Sequence, residues 1–130
     1  MPAIPPVQHV AEKLHAYTRR YGPDGEPSSR PKDLIDLVLL EMHEDFAARE
    51  LRLALERTFA TRGTHPLPDA LPPPLQDWAR PYRELADQVG IASDLADGYA
   101  EARRFLEPIL ARSVSDEFRW NNDTRSWDPH

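Results

Sequence analysis

Asp36 interrupts an otherwise apolar run, Leu34-Ile35-Asp36-Leu37-Val38-Leu39-Leu40. A charged carboxylate in such a run must be paired, lie at an exposed edge or lose its charge, because removing it from water is costly. Lys32 precedes it by four residues, which predicts a local ion pair along a helix and needs no function. In the functional alternative, Asp36 and a basic residue such as Lys13 or Arg30 line a polar seam that a ligand uses.

Lys13 is the second residue of this hypothesis. It lies at the edge of the apolar stripe of a predicted helix, with His9 and Tyr17 one turn before and after it. A lysine in that position is usually solvated, so its spacing alone does not indicate a site. The functional interpretation requires the first two predicted helices to pack so that Lys13 and Asp36 meet.

Three predicted helices position these residues. Apolar residues at three- and four-residue steps predict a first helix that begins at Val7 and ends before Gly22, where a polar loop follows. The second helix, over 31–43, is apolar on nearly every side, which is typical of a helix enclosed by neighbours. The third, over 45–61, has one apolar stripe and ends near Gly63.

Prolines separate this half of the chain from the next. Five of them lie within 64–75, so we expect a stiff surface connector there, neither helix interior nor central strand. A fourth helix is predicted over 77–89, with a potential break near Pro81.

The fifth predicted helix spans 94–106 and is capped by Ser93. Pro108 then either kinks it or begins a short extension through Leu110. The remaining tail has no helical period, and we expect an irregular segment or a small hairpin. The predicted fold class is therefore all-α, with about five helices in a bundle, a proline-rich connector and an irregular C-terminal tail.

Composition excludes several classes of function. Hydrophobic residues make up 40% of the 130 residues and charged residues 29%, which is typical of a folded domain. The absence of cysteine excludes disulfides, thiolate nucleophiles and Cys-ligated zinc. The net charge of −6 means that contact with nucleic acid would need a local basic patch. Without an apolar run of about 20 residues or a secretory signal, we expect a cytoplasmic protein with no membrane partner.

Other residues give weaker signals. His43-Glu44 lacks the second histidine of a zinc-protease helix, so we interpret it as a solvated helix end. Four aromatic residues fit a packed core better than a platform for stacking bases; they are Trp78, Tyr82, Tyr99 and Phe105.

The order of two segments resembles a known family. Ala11-Glu12-Lys13-Leu14-His15-Ala16-Tyr17 is followed, after a short loop, by Ser29-Arg30-Pro31-Lys32-Asp33-Leu34-Ile35-Asp36-Leu37. This order resembles the lysine and "R-x-K-D-L-x-D-L" segment of the AbiEii/AbiGii-type nucleotidyltransferases, the toxin components of some bacterial toxin–antitoxin and phage-defence systems. The resemblance continues through His65-Pro66-Leu67-Pro68 to the late tryptophans Trp120 and Trp127.

The resemblance implies roles for named residues. It implies that Lys13 contacts nucleotide phosphates and that Asp36, or alternatively Asp33, is its acidic companion in catalysis. Arg30 would support phosphate or substrate binding, and Lys32 and Asp33 belong to the same nucleotide-binding segment. It also implies an NTP donor, Mg²⁺, an RNA or protein acceptor and an antitoxin partner.

The chain departs from the family pattern at one point. A polymerase-β-like nucleotidyltransferase holds its metal ions on strand carboxylates that follow a Gly-Ser turn. Here the five glycines are followed by Pro, Glu, Thr, Ile and Tyr. We therefore expect no metal ligands in this chain, which would be one helical domain, residues 1–130, forming the C-terminal half of the enzyme and inactive alone. Its N-terminal catalytic half, in the same or a separate chain, would bind Mg²⁺.

The alternative is a non-enzymatic helical module that keeps the fold and binds a protein partner.

Overall fold

Five α-helices account for most of the residues that the computed structural model describes, 4–18 and 30–129. The helices are α1 (Pro6–Thr18), α2 (Arg30–His43), α3 (Ala48–Arg62), α4 (Ala79–Val89) and α5 (Leu95–Leu110). The five predicted helices are therefore confirmed. The predicted end of the first helix before Gly22 and the polar loop after it lie outside the described residues.

α2 is the central element of the fold. It packs against α1 on one side and against α4 and α5 on others, as its apolar sequence predicts. Leu34 and Leu37 are fully buried, and Ile35 and Val38 are nearly so. α3 completes this half of the structure by packing along α1. A charged side chain on α2 therefore has few positions where it can reach water.

The all-α prediction is wrong in one part, because the structure also contains a three-stranded antiparallel sheet. Its strands are β1 (Phe46–Ala47), β2 (Arg119–Asn121) and β3 (Ser126–Asp128), with Phe46 opposite Trp120 and Trp120 opposite Trp127. Of the two structures expected for the tail, the small hairpin is confirmed and the irregular segment is wrong. β1 also takes the first residues of the predicted third helix, which begins at Ala48 instead of 45.

Two indole groups attach this hairpin to the helices. The Trp120 Nε1 group donates to the carbonyl of Glu41 at 2.7 Å, and the Trp127 Nε1 group donates to the carbonyl of Phe105 at 2.8 Å. The Trp127 and Phe105 rings stack nearly parallel, with centroids 5.8 Å apart. Because a buried indole N–H needs an acceptor, these contacts explain why the tail packs back onto α2 and α5.

The ends of the helices differ from the predictions in two places. Asp94, and not Ser93, caps α5, because its carboxylate accepts from the Ala96 amide at 2.8 Å. Pro81 does not break α4, since it lies in the first turn, where a missing N–H leaves no hydrogen bond unmade. Pro108 lies inside α5, which continues through Leu110. Gly63 ends α3 in a left-handed conformation, with φ of 63°, as predicted.

The proline-rich segment 64–75 contains neither helix nor strand, which confirms the predicted connector. Two tyrosines hold it to the helices. The Tyr17 hydroxyl donates to the Pro72 carbonyl and the Tyr99 hydroxyl to the Leu71 carbonyl, both at 2.7 Å. Leu71 itself is 2% exposed. The connector is thus anchored to both α1 and α5.

The predicted aromatic core is confirmed for Trp78, Tyr82 and Phe105, which are buried, while Tyr99 is partly buried. Burial of the Tyr82 hydroxyl costs free energy that the hydrogen-bonded Tyr99 hydroxyl does not cost. Its hydroxyl is buried and has no hydrogen-bond partner among the described residues. It lies so close to Gly98 that a Cβ atom built there would be 1.9 Å from it. Burial of this lone hydroxyl also raises the pKa of Tyr82 to about 12.

We predict opposite effects for the same substitution at these two tyrosines. Tyr82→Phe should raise the free energy of unfolding by about 1 kcal/mol, because it removes a buried hydroxyl that makes no hydrogen bond. Tyr99→Phe should lower it by about 1 kcal/mol, because the Leu71 carbonyl loses its donor. Urea denaturation of both variants measures the two changes. Equal losses in both variants would contradict the assignment of Tyr82 as unpartnered.

Candidate functional site

Lys13 and Asp36 meet across the interface of α1 and α2. The Lys13 Nζ atom lies 2.8 Å from Asp36 Oδ2, and Lys32 Nζ lies 3.2 Å from the same oxygen. The local ion pair along α2 and the pair between helices are therefore both present. Lys13 and Lys32 are the two lysines of the chain, and both bind this one carboxylate.

These three side chains lie at the surface edge of the helix pair. The exposed fractions of their side chains are 36% for Lys13, 22% for Asp36 and 61% for Lys32. Asp36 thus reaches the edge of the apolar α2 and is paired there, as the cost of burying a carboxylate requires. We call the cluster of Lys13, Lys32 and Asp36 the α1–α2 seam. Its two ammonium groups share the one carboxylate.

The electrostatics of the seam keep Lys13 charged. Its hydrogen bond to the Asp36 carboxylate raises the pKa of Lys13, although partial burial acts against this, and the charges of Asp36 and Asp33 raise it further. Lys13 is therefore a permanent cation at any physiological pH. A cation fixed at a surface edge is suited to binding an anionic group such as phosphate.

Asp33 is placed less favourably for a ligand. Asp33 is 4% exposed, so of the two candidate acids only Asp36 lies at the surface. Arg30 is the first residue of α2, but its side chain lies outside the described part of the structure. The structure therefore brings together Lys13, Lys32 and Asp36, with Asp33 buried beside them.

A groove continues from the seam along the interface of α1 and α2. Its volume is about 430 Å³, and it is lined by Lys13 and Asp36 at the seam and by Leu39 and Leu40 farther along α2. His9, His43 and Glu44 form the rest of its lining, with both histidines exposed. His43 is the exposed last residue of α2, as predicted, and it and Glu44 also line this groove. The signal that could have revealed it is the spacing of Asp36, Leu40 and His43 along one face of α2.

The seam does not fit a magnesium site. Mg²⁺ requires nearly octahedral oxygen ligation, usually with one or two carboxylates that can face the ion. Asp36 is already shared by two ammonium groups, and the described residues contain no group of three or more His, Asp or Glu side chains that could hold a metal. What the seam offers chemically is charge and orientation for an anion. Among the helices within residues 4–18 and 30–129, none is long and apolar enough to cross a membrane.

Sequence reasoning missed a second charged cluster, at the other end of α2. Glu41 is fully buried, and its Oε1 atom lies 3.2 Å from Arg125 Nη1, which also contacts Glu101 at 3.1 Å. Burial raises the pKa of Glu41 to about 8. The positive charge of Arg125 lowers this pKa, and the nearby Glu101 raises it. Because Arg125 is 84 residues away in the chain, no local spacing could have identified the pair.

Comparison with known proteins shows which family the chain belongs to. The family described as "Nucleotidyl transferase AbiEii toxin, Type IV TA system" matches residues 1–119, a span that includes the whole seam and groove. This chain belongs to the AbiEii nucleotidyl transferase toxin family. No curated protein and no solved structure matches it. The expected family is therefore confirmed, and membership in a type IV toxin–antitoxin family implies an antitoxin partner.

The buried Glu41 of this AbiEii chain generates a pH dependence of stability. Since folding raises its pKa from an ordinary 4.5 to about 8, the folded state holds the proton more tightly than the unfolded state. Its contribution to stability should therefore be complete below pH 4.5 and be lost as the pH rises towards about 8.

Glu41→Gln should flatten the loss of stability across this interval, because the amide keeps the shape without titrating. Urea denaturation at several pH values measures the slope. Glu84→Gln is the matched control, since that carboxylate lies exposed on α4 and its side chain is 64% exposed. A slope that is the same in Glu41→Gln as in the unmodified chain would show that Glu41 titrates equally in both states.

Proposed function

We propose that the α1–α2 seam contacts the phosphates of a nucleoside triphosphate in an AbiEii nucleotidyltransferase. The observation that carries this proposal is the 2.8 Å contact between Lys13 and Asp36 at a half-exposed helix edge. In this proposal, Lys13 binds the triphosphate, and Asp36 holds the Lys13 ammonium group at the edge of α1 that faces α2. Lys32 adds positive charge beside them, and Arg30 supports phosphate binding.

Stability alone is a weak reason for placing these charges on α2. Ion pairs with this exposure contribute only about 0–1 kcal/mol, and salt screens them. By contrast, the exposed ammonium groups give the seam a direct use in anion binding, because phosphate oxygens can replace part of their hydration. The raised pKa of Lys13 supports this use, since Lys13 stays a cation at physiological pH, where the nucleotide is anionic.

We further propose that this chain acts as the C-terminal helical half of the enzyme and does not catalyse alone. A polymerase-β-like centre needs carboxylates on a strand for its Mg²⁺ ions, and the seam does not fit that ion. The N-terminal nucleotidyltransferase half, in the same or a separate chain, would supply those ligands. The groove and the seam would form one wall of the joint cleft, in which RNA or a protein accepts the nucleotide.

Titration with nucleotide tests the proposal. We expect saturable binding of NTP with Mg²⁺ by isothermal titration calorimetry, and at least tenfold weaker binding by Lys13→Met, since a charged hydrogen bond contributes about 1.5–3 kcal/mol. Lys32→Met removes the more exposed of the two ammonium groups that contact Asp36, and it should weaken binding less. Arg103→Met on α5 is the control outside the seam and should have no effect.

Two results would contradict the proposal. No saturable binding, or equal binding by Lys13→Met and the unmodified chain, would favour the alternative of a helical module that has kept the fold and binds only protein partners. In that case, the apolar part of the groove would be the surface for the partner helix or loop.

A further inference from the structure

The groove beside the seam differs in charge between its two ends, because Lys13 paired with Asp36 lines one end and a carboxylate without a lysine lines the other. Lys13 lies at one end, and the carboxylate-bearing Glu44 lies at the other, beyond the last turn of α2. Leu39 and Leu40 form the apolar part of the lining between these ends. The ammonium group in this lining lies at the seam, so an anionic group is bound there in preference to the far end. Any ligand with one anionic and one apolar end has a single favourable orientation here.

The groove also has a suitable length. His43 follows Asp36 by seven residues, which on an α-helix corresponds to about 10 Å. His9 precedes Lys13 by four residues on α1, which corresponds to about 6 Å. Both histidines line the groove, so α1 and α2 run in opposite directions along it and place an imidazole on each wall. The imidazoles thus lie one to two helical turns from the cation of the seam.

We infer that this groove holds the base of the nucleoside triphosphate whose phosphates bind the seam, an inference that rests on the proposed function. A nucleobase is planar, and proteins bind it by stacking aromatic rings, histidine included, and by apolar contact with its faces. His9 and His43 supply the rings, and Leu39 and Leu40 supply the apolar contact. The ribose then spans the interval between the histidines and the seam, with the triphosphate at Lys13.

Comparison of NTPs with inorganic tripolyphosphate tests this inference on the full chain. Tripolyphosphate has the anionic part of the ligand and lacks both the ribose and the base. We expect ATP, CTP, GTP or UTP to bind at least tenfold more tightly than tripolyphosphate. In the double variant His9→Ala/His43→Ala, NTP affinity should fall by about tenfold, a typical loss for removing base stacking, and tripolyphosphate affinity should not change.

Two leucines provide a matched pair of substitutions for the apolar part of the groove. Leu39→Gln should weaken NTP binding and leave tripolyphosphate binding unchanged. Leu53→Gln, at an exposed leucine of α3 outside the groove, should change neither. Thermal unfolding of each variant establishes that it is folded, and the exposed histidines make the double variant the safer of the two tests.

The outcomes separate this inference from the proposed function. Equal affinity for NTP and tripolyphosphate, both lost in Lys13→Met, would overturn the base groove and leave the seam as a phosphate site. A parallel loss of both ligands in the histidine variant would also overturn it, since the imidazoles would then act as charges. Binding of a short RNA that depends on the histidines, while NTPs bind without them, would assign the groove to the acceptor and overturn the inference. No binding of either small ligand would reject the proposed function itself.

Discussion

The enclosure of α2 is the constraint on which the structure depends. Helices α1, α4 and α5 cover most of its surface, so every ionised side chain on it must reach an edge or a partner. Asp36 reaches the edge shared with α1 and meets two lysines there. Glu41 reaches no edge, and its carboxylate is stabilised by Arg125 from the hairpin and by partial retention of its proton. The same helix therefore produces an open charged site and a closed one.

The two charged sites have different relations to the family. The seam and the groove lie within residues 1–119, which match the AbiEii family. Arg125 lies beyond the matched segment, on the hairpin that joins Trp120 and Trp127 to the core. The closed site thus joins two residues of the matched segment, Glu41 and Glu101, to one residue beyond it. The open site lies wholly within the matched segment.

Local sequence patterns were sufficient to predict the helices, because each has an apolar stripe or a run that repeats at helical spacing. Asp36 was identifiable for the same reason, since a carboxylate in an apolar run must have a partner. Lys13 was only one of its candidate partners until the resemblance to the family singled it out, because spacing within one helix cannot show what a neighbouring helix brings. The strand Phe46–Ala47 was missed since two residues carry no period, and its pairing with Arg119 and Trp120 is long-range. The cap at Asp94 was missed because Ser93 is an equally good capping residue.

Nitrogen NMR of the lysine ammonium groups tests the role of the seam most directly, because a chain with two lysines gives two side-chain signals. Each is assigned by replacing Lys13 or Lys32 with methionine. If the seam binds the triphosphate, addition of NTP with Mg²⁺ shifts the Lys13 signal in a saturable way, with a smaller shift at Lys32. Two signals that stay unchanged at NTP concentrations far above cellular levels would contradict the account.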